Sequence, residues 1–257
     1  MDFSVWLFGA AVVTGVITLW DVLWGRKGRE AKGRQHEPVL VAYGKAFFPV
    51  ILIVFCLRSF LVEPFRIPSG SMLPTLNIGD FILVNKFDYG LRLPILNKKL
   101  VELDSPQRGE VMVFRFPQDP SVHFIKRIVG LPGDEILIRN KRLIINGEPV
   151  PLIPDGRYTY EEKSKNGKET DRFLEMLGEH EHDVVMDLSS RAVNQRIVVP
   201  EGNYFLMGDN RDHSNDGRYW GFVPDENVVG RAFFIWFSWD SLNGGGVNWS
   251  RIGQSIR

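Results

Sequence analysis

The sequence predicts a mainly β, antiparallel domain preceded by two N-terminal transmembrane helices, and three observations predict it. Apolar residues crowd the first 65 of the 257 positions, whereas the remainder mixes charge, Gly and Pro as an ordinary soluble domain does. The apolar stretch divides into two runs around a basic segment. Beyond it, short β-branched and aromatic runs are punctuated by Gly, Pro, Asn and Asp, the pattern of an all-β domain.

The first run, Phe3 to Trp20, has 18 residues without a charge, close to the ~20 a helix needs to cross a hydrocarbon core; the predicted crossing is 3–22. A cleaved secretory signal would need a basic lead, and only Met1 and Asp2 precede the run. The second crossing is predicted over 46–62, with Pro49 in the first turn, where no helical donor is lost, and Arg58 near the end, where its guanidinium reaches the interface. A buried amphipathic helix is the competing reading of this shorter run. The single cysteine, Cys56, reads as a small buried hydrophobe.

Between the runs, over about 23–45, Arg26, Lys27, Arg29, Lys32, Arg34 and Lys45 face only Glu30 and Glu37. A short basic loop resists translocation, so this loop is expected in the cytoplasm and everything after about Val62 outside. The chain then divides into an anchor, 1–62, and an extracytoplasmic domain, 63–257, long enough for a real core. Formal charge balances, so no global field points to nucleic acid.

Strands are expected at Phe81–Phe87, Glu110–Phe116, His123–Gly130, Glu135–Arg139, Arg142–Ile145, Gln195–Val199, Tyr204–Met207 and Arg231–Trp239, with Asn140 and Lys141 as a hairpin turn. Over about 151–195 charge rises and periodicity fades, which predicts a surface-exposed insertion with one helix near Arg172–Leu177.

Three segments carry chemistry. In the first, Pro68-Ser69-Gly70-Ser71-Met72-Leu73-Pro74, two prolines and a glycine shape a turn that can hold a hydroxyl toward a substrate. In the second, His123 to Asp134, a strand period of two puts Lys126 on the face of Phe124 and Ile128, with His123, Ile125 and Arg127 opposite. Desolvation there favours a neutral amine, as a lysine general base requires. The third, Gly208-Asp209-Asn210-Arg211-Asp212-His213-Ser214-Asn215-Asp216-Gly217-Arg218, is a polar loop ending in Tyr219-Trp220-Gly221, expected to pack on the core and support the site.

Together with the two crossings and Arg108-Gly109-Glu110-Val111, these segments resemble the bacterial type I signal peptidases, serine-lysine dyad proteases of the membrane. The resemblance implies that Ser71 is the nucleophile and Lys126 its base, that Ser69 and the Ser71 N–H form the oxyanion hole, and that Ser214, Asp209, Asp216, Arg218 and Arg127 support them. It implies shallow pockets for small substrate side chains, lined by Phe65, Ile67, Pro68, Met72, Phe124 and Ile125. It also implies no cofactor and no metal; signal peptides of exported preproteins, membrane lipid and the secretion machinery as partners; and a place in the bacterial inner membrane with the catalytic domain on the periplasmic side. Phe124 stands where many members have tyrosine, and Gly217 where many have serine. Trp236, Trp239 and Trp249 are candidates for contact with the membrane surface.

Rival readings are a Ser-His-Asp hydrolase using His213 or His123, a metalloprotease built on His180-Glu181-His182-Asp183, and a peptide-binding domain without chemistry. Each serine lacks a G-x-S-x-G elbow, and the histidine pair lacks H-E-x-x-H spacing.

Overall fold

A computed structural model describes residues 3–31, 36–92, 99–101, 103–160, 168–240 and 245–257, so Lys32 and Arg34 of the basic segment and 161–167 of the predicted insertion lie outside the described residues. The chain forms two compact units, one from Met1–Val62 with Arg92–Leu100, the other from Glu63–Leu91 with Val101–Arg257.

In the first unit, α1 (Phe3–Trp20) runs through a π-helical turn into α2 (Arg26–Ala31), and α3 (Val39–Cys56) continues through a second π-helical turn to Leu61. Two spans, Val5–Arg29 and Val39–Leu61, are long and apolar enough to cross a bilayer. The second begins seven residues before the predicted start, which puts Pro49 inside the helix and not in its first turn. The apolar Val39-Leu40-Val41 carries the helix past Lys45, and an internal proline is tolerated in membrane helices. Gly15 and Gly44 let α1 and α3 pack closely: a Cβ would lie 2.9 Å from the Phe48 ring at the first and 2.8 Å from Ile17 at the second. Cys56 is exposed, contrary to expectation, because an apolar run built to face lipid need not face protein.

The second unit is built on a seven-stranded sheet. Its order is β1 (Val62–Arg66), β2 (Asp80–Asn85), β16 (Val228–Ser238), β5 (Val111–Phe116), β6 (Asp119–Gly130), β14 (Asn203–Met207) and β15 (Val223–Pro224). From β2 to β15 each neighbouring pair in this order is antiparallel. Strand β5 is buried on both faces: Val111 and Val113 join a core with Met72, Leu76, Ile82 and Val84, while Met112 and Phe114 join one with Ile128, Leu206 and Val228. This double burial explains why β5 reads as a continuous apolar run and not as an alternating one. The short strands β3 (Leu91–Arg92) and β4 (Lys99–Val101) follow β2 in the chain.

A second sheet orders β13 (Gln195–Val198), β7 (Glu135–Arg139), β8 (Arg142–Ile145) and β9 (Glu148–Pro149). Asn140 and Lys141 both take positive φ, 49° and 64°, the backbone a two-residue type I′ turn demands.

The third sheet, β10 (Leu152–Tyr160), β11 (Lys168–Leu177) and β12 (His180–Met186), replaces the helix expected near Arg172–Leu177. Phe173, Leu174, Met176 and Leu177 satisfy a helical spacing, yet Phe173, Glu175 and Leu177 are the buried ones, a period of two. Nor is this region merely a surface appendage, since Glu175, His182, Val184, Val185 and Met186 are all buried.

Candidate active site

The turn after β1 carries Ser71, and β6 brings Lys126 to it. Lys126 pairs in register with Met112 of β5, which fixes where its side chain leaves the sheet. Its Nζ donates to Ser71 Oγ at 2.6 Å and to the Ile125 carbonyl at 3.0 Å, and it lies 5.7 Å from the Phe124 ring centre. Lys126 is only 4% exposed and Ser71 8%. Burial pushes the Lys126 amine down to about 8, against the opposing pull of Asp216 and Asp209. Among the described residues no carboxylate stands at ion-pair distance from this nitrogen. A hydroxyl in contact with a readily neutralised amine is the arrangement that a nucleophile and its base require.

Ser69 Oγ lies 3.5 Å from Ser71 Oγ, on the exposed lip of the turn. Of the expected pocket residues, Ile67 and Met72 are enclosed in the core, Phe65 and Ile125 pack partly buried against that same core, and Pro68 is exposed. Phe124 belongs to the other face, stacked on Phe116 at 4.4 Å with Trp220 beside them.

The polar loop packs beneath this pair. Asp209, fully buried, accepts from Arg127 Nε at 2.8 Å and Nη2 at 2.7 Å, and from the Thr75 hydroxyl at 2.5 Å. Burial alone would raise the Asp209 carboxyl, but Arg127 holds it below the usual carboxylate range. Asp216 is treated likewise by Arg218, whose Nε and Nη2 each donate at 2.8 Å, and it also accepts the Gly208 N–H at 3.0 Å. The charges flanking Lys126 are therefore neutralised pairwise, and desolvation dominates its titration.

Gly208 is the point of closest approach: a Cβ there would lie 2.3 Å from Ser214 Oγ and 2.4 Å from the Ser71 carbonyl oxygen. Ser214 is thus placed against the Ser71 backbone, with its hydroxyl buried and turned toward the Asp216 carboxylate that it helps to hold ionised. Gly217 has a packing reason as well, since a Cβ would meet the Leu206 carbonyl and the Phe205 ring at 2.8 Å.

Sequence reasoning missed Thr75, Asn210 and Glu175. Asn210 donates its N–H to the Ser71 carbonyl at 3.1 Å and its Nδ2 to the Gly70 carbonyl at 3.0 Å, tying the loop to the nucleophile turn. Glu175, in the misread helix, holds Arg211 by two hydrogen bonds; reading Phe173, Glu175 and Leu177 at period two would have marked it as an inward carboxylate. The rival candidates fall elsewhere. His213 is exposed with Tyr160 against its ring, His123 is exposed beside Phe65, and His182 of the imagined metal segment stands 3.3 Å from Glu175.

The family described as "Signal peptidase, peptidase S26" matches residues 40–239. A signal peptidase I of Pseudomonas fluorescens is 53% identical over 98% of each chain, and one of Pseudomonas aeruginosa is 45% identical with the same coverage. A crystal structure of a signal peptidase I from Enterococcus faecalis V583 is 30% identical and covers 51% of this chain and 98% of its own, with a TM-score of 0.31.

Proposed function

Because the chain belongs to the signal peptidase family, peptidase S26, we propose that it is a membrane-bound serine endopeptidase that removes signal peptides from exported preproteins with a Ser71-Lys126 dyad. The observation that carries the reading is the 2.6 Å contact between a buried lysine amine and a serine hydroxyl. Ser71 Oγ attacks the scissile carbonyl while Lys126 takes its proton, and Lys126 then delivers that proton to the leaving amine. The same amine, again neutral, activates the water that releases the acyl group. The Ser71 N–H and the Ser69 hydroxyl face the oxyanion.

The preprotein enters in extended form and aligns beside β1, the edge strand that leads into the nucleophile turn. Phe65, Pro68, Phe124 and Ile125 offer their partly exposed surfaces to small side chains of the substrate, with Ile67 and Met72 as the rigid floor.

Residues 1–62 act as the anchor in the inner membrane and 63–257 as the catalytic domain on the periplasmic side, near the secretion machinery. The basic segment around Arg26, Lys27 and Arg29 supports this orientation. The exposed Trp236, Trp239 and Trp249 support contact with lipid headgroups.

The test is cleavage of a purified preprotein by the full chain in detergent. Ser71→Ala and Lys126→Met are expected to yield no shortened product, while His213→Ala retains most of the parent activity. Full turnover by Lys126→Met would hand the mechanism to a histidine base.

A further inference from the structure

The β10-β11-β12 sheet is wired to the nucleophile by hydrogen bonds in series. The Val185 N–H of β12 donates to the Asp209 carbonyl at 3.0 Å, and the Arg211 N–H donates to the Val185 carbonyl at 2.9 Å. One residue of β12 thus grips the polar loop on both sides of Asn210. Asn210 passes the restraint on through its two bonds to the Ser71 and Gly70 carbonyls.

A side-chain clamp reinforces this backbone grip. Arg211, 4% exposed, donates from Nη1 to Glu175 Oε1 at 2.8 Å and from Nη2 to Glu175 Oε2. Burial would raise the Glu175 carboxyl, but Arg211 holds it down to about 2, so the pair is ionic at any working pH. Glu175 is in register with His182 of β12, whose Nε2 stands 3.3 Å from it and 4.0 Å from Asp209 Oδ1. Asp209 in turn holds Arg127, the residue after the base. The strand of Lys126 and the turn of Ser71 therefore end on one loop, and that loop is gripped by this sheet.

Stability does not require such a clamp, since an apolar pair of similar volume in place of a buried ion pair is often neutral or stabilising. What a bidentate arginine-carboxylate pair adds is direction. We propose that Glu175 is a positioning residue for peptide-bond cleavage: by fixing Arg211 it holds the 209–211 loop, and hence Ser71, in register with Lys126. The inference rests on the Ser71-Lys126 reading, which Ser71→Ala tests separately in the same assay.

The experiment compares the full-length parent, Glu175→Gln and the volume-matched double variant Glu175→Met with Arg211→Met in preprotein cleavage, well below each protein's thermal midpoint. Since a displacement near 1 Å can cost about 100-fold, Glu175→Gln is expected to lose about tenfold to 100-fold in kcat with KM within about twofold. The double variant is expected to regain the parent's thermal midpoint while kcat stays low. Parent-like kcat in Glu175→Gln overturns the proposal, and so does a double variant in which kcat and thermal midpoint recover together. If Glu175→Gln does not fold, the double variant decides by the same criterion. Residual cleavage by Ser71→Ala would instead defeat the dyad reading, leaving the effect of Glu175 to be read against another nucleophile.

Discussion

Substituting Gly208 by alanine perturbs the site without touching a reactive atom. The new methyl would sit 2.3 Å from Ser214 Oγ, 2.4 Å from the Ser71 carbonyl oxygen and 2.6 Å from Ser214 Cβ. Ordinary contact begins near 3.4 Å, so the loop and the nucleophile turn must separate by about 1 Å. Ser214 could rotate, but the Ser71 carbonyl is backbone and is already bonded to the Asn210 N–H at 3.1 Å, so it moves only with the turn. A shift of that size at Ser71 breaks the 2.6 Å contact with Lys126, and a misplacement near 1 Å costs on the order of 100-fold in rate. Overpacking also destabilises by about 1 to 3 kcal/mol, which thermal unfolding measures separately. The assay is single-turnover cleavage of a preprotein at saturating enzyme, which isolates chemistry from product release. A Gly208→Ala protein retaining more than half of the parent rate would refute the claim that loop and nucleophile meet there.

Other outcomes follow from the same geometry. Asp209→Asn leaves Arg127 buried without its carboxylate and is expected to cost about 3 to 5 kcal/mol, read as a lower thermal midpoint. Ser69→Ala removes one of the two proposed oxyanion donors and is expected to lower kcat about 100-fold, on the order of 3 kcal/mol, with KM little changed. Lys126→Met should abolish turnover yet raise the thermal midpoint at pH 7, because an amine pushed down to about 8 from 10.5 opposes folding below that range. Acid should destabilise in two stages. His182 is pushed below its ordinary value by burial and by Arg127, so its contribution is complete above about 6.5 and fades as pH falls through its folded pKa. Asp209, Asp216 and Glu175 are held low, so theirs is complete above about 4.5 and is lost as pH falls through their folded values, about 2 for Glu175. A thermal midpoint flat from pH 7 to 3 would contradict both.

What the sequence revealed follows from which forces are local. Strands β7 and β8 and their Asn140-Lys141 turn were legible to the residue because alternation and positive-φ chemistry are written in adjacent positions. Lys126 was legible as a desolvated amine because Phe124 and Ile128 flank it at period two. Strand β11 was not, because its apolar residues fit either period and only the partner strands choose between them. The start of α3 was lost to Lys45, read as a boundary although the helix runs through it. The contacts that tie the site together, such as Thr75 to Asp209 across 134 positions, leave no trace in local pattern at all.

Titration of the Lys126 side chain in the full-length protein is the sharpest test, followed by the carbon-13 shift of its ε-methylene and assigned by comparison with Lys126→Met. A midpoint near 8 is predicted, with cleavage rate rising across the same pH range. A midpoint at 10.5 or above, with the rate indifferent to it, would mean the amine is a solvated cation and not the base.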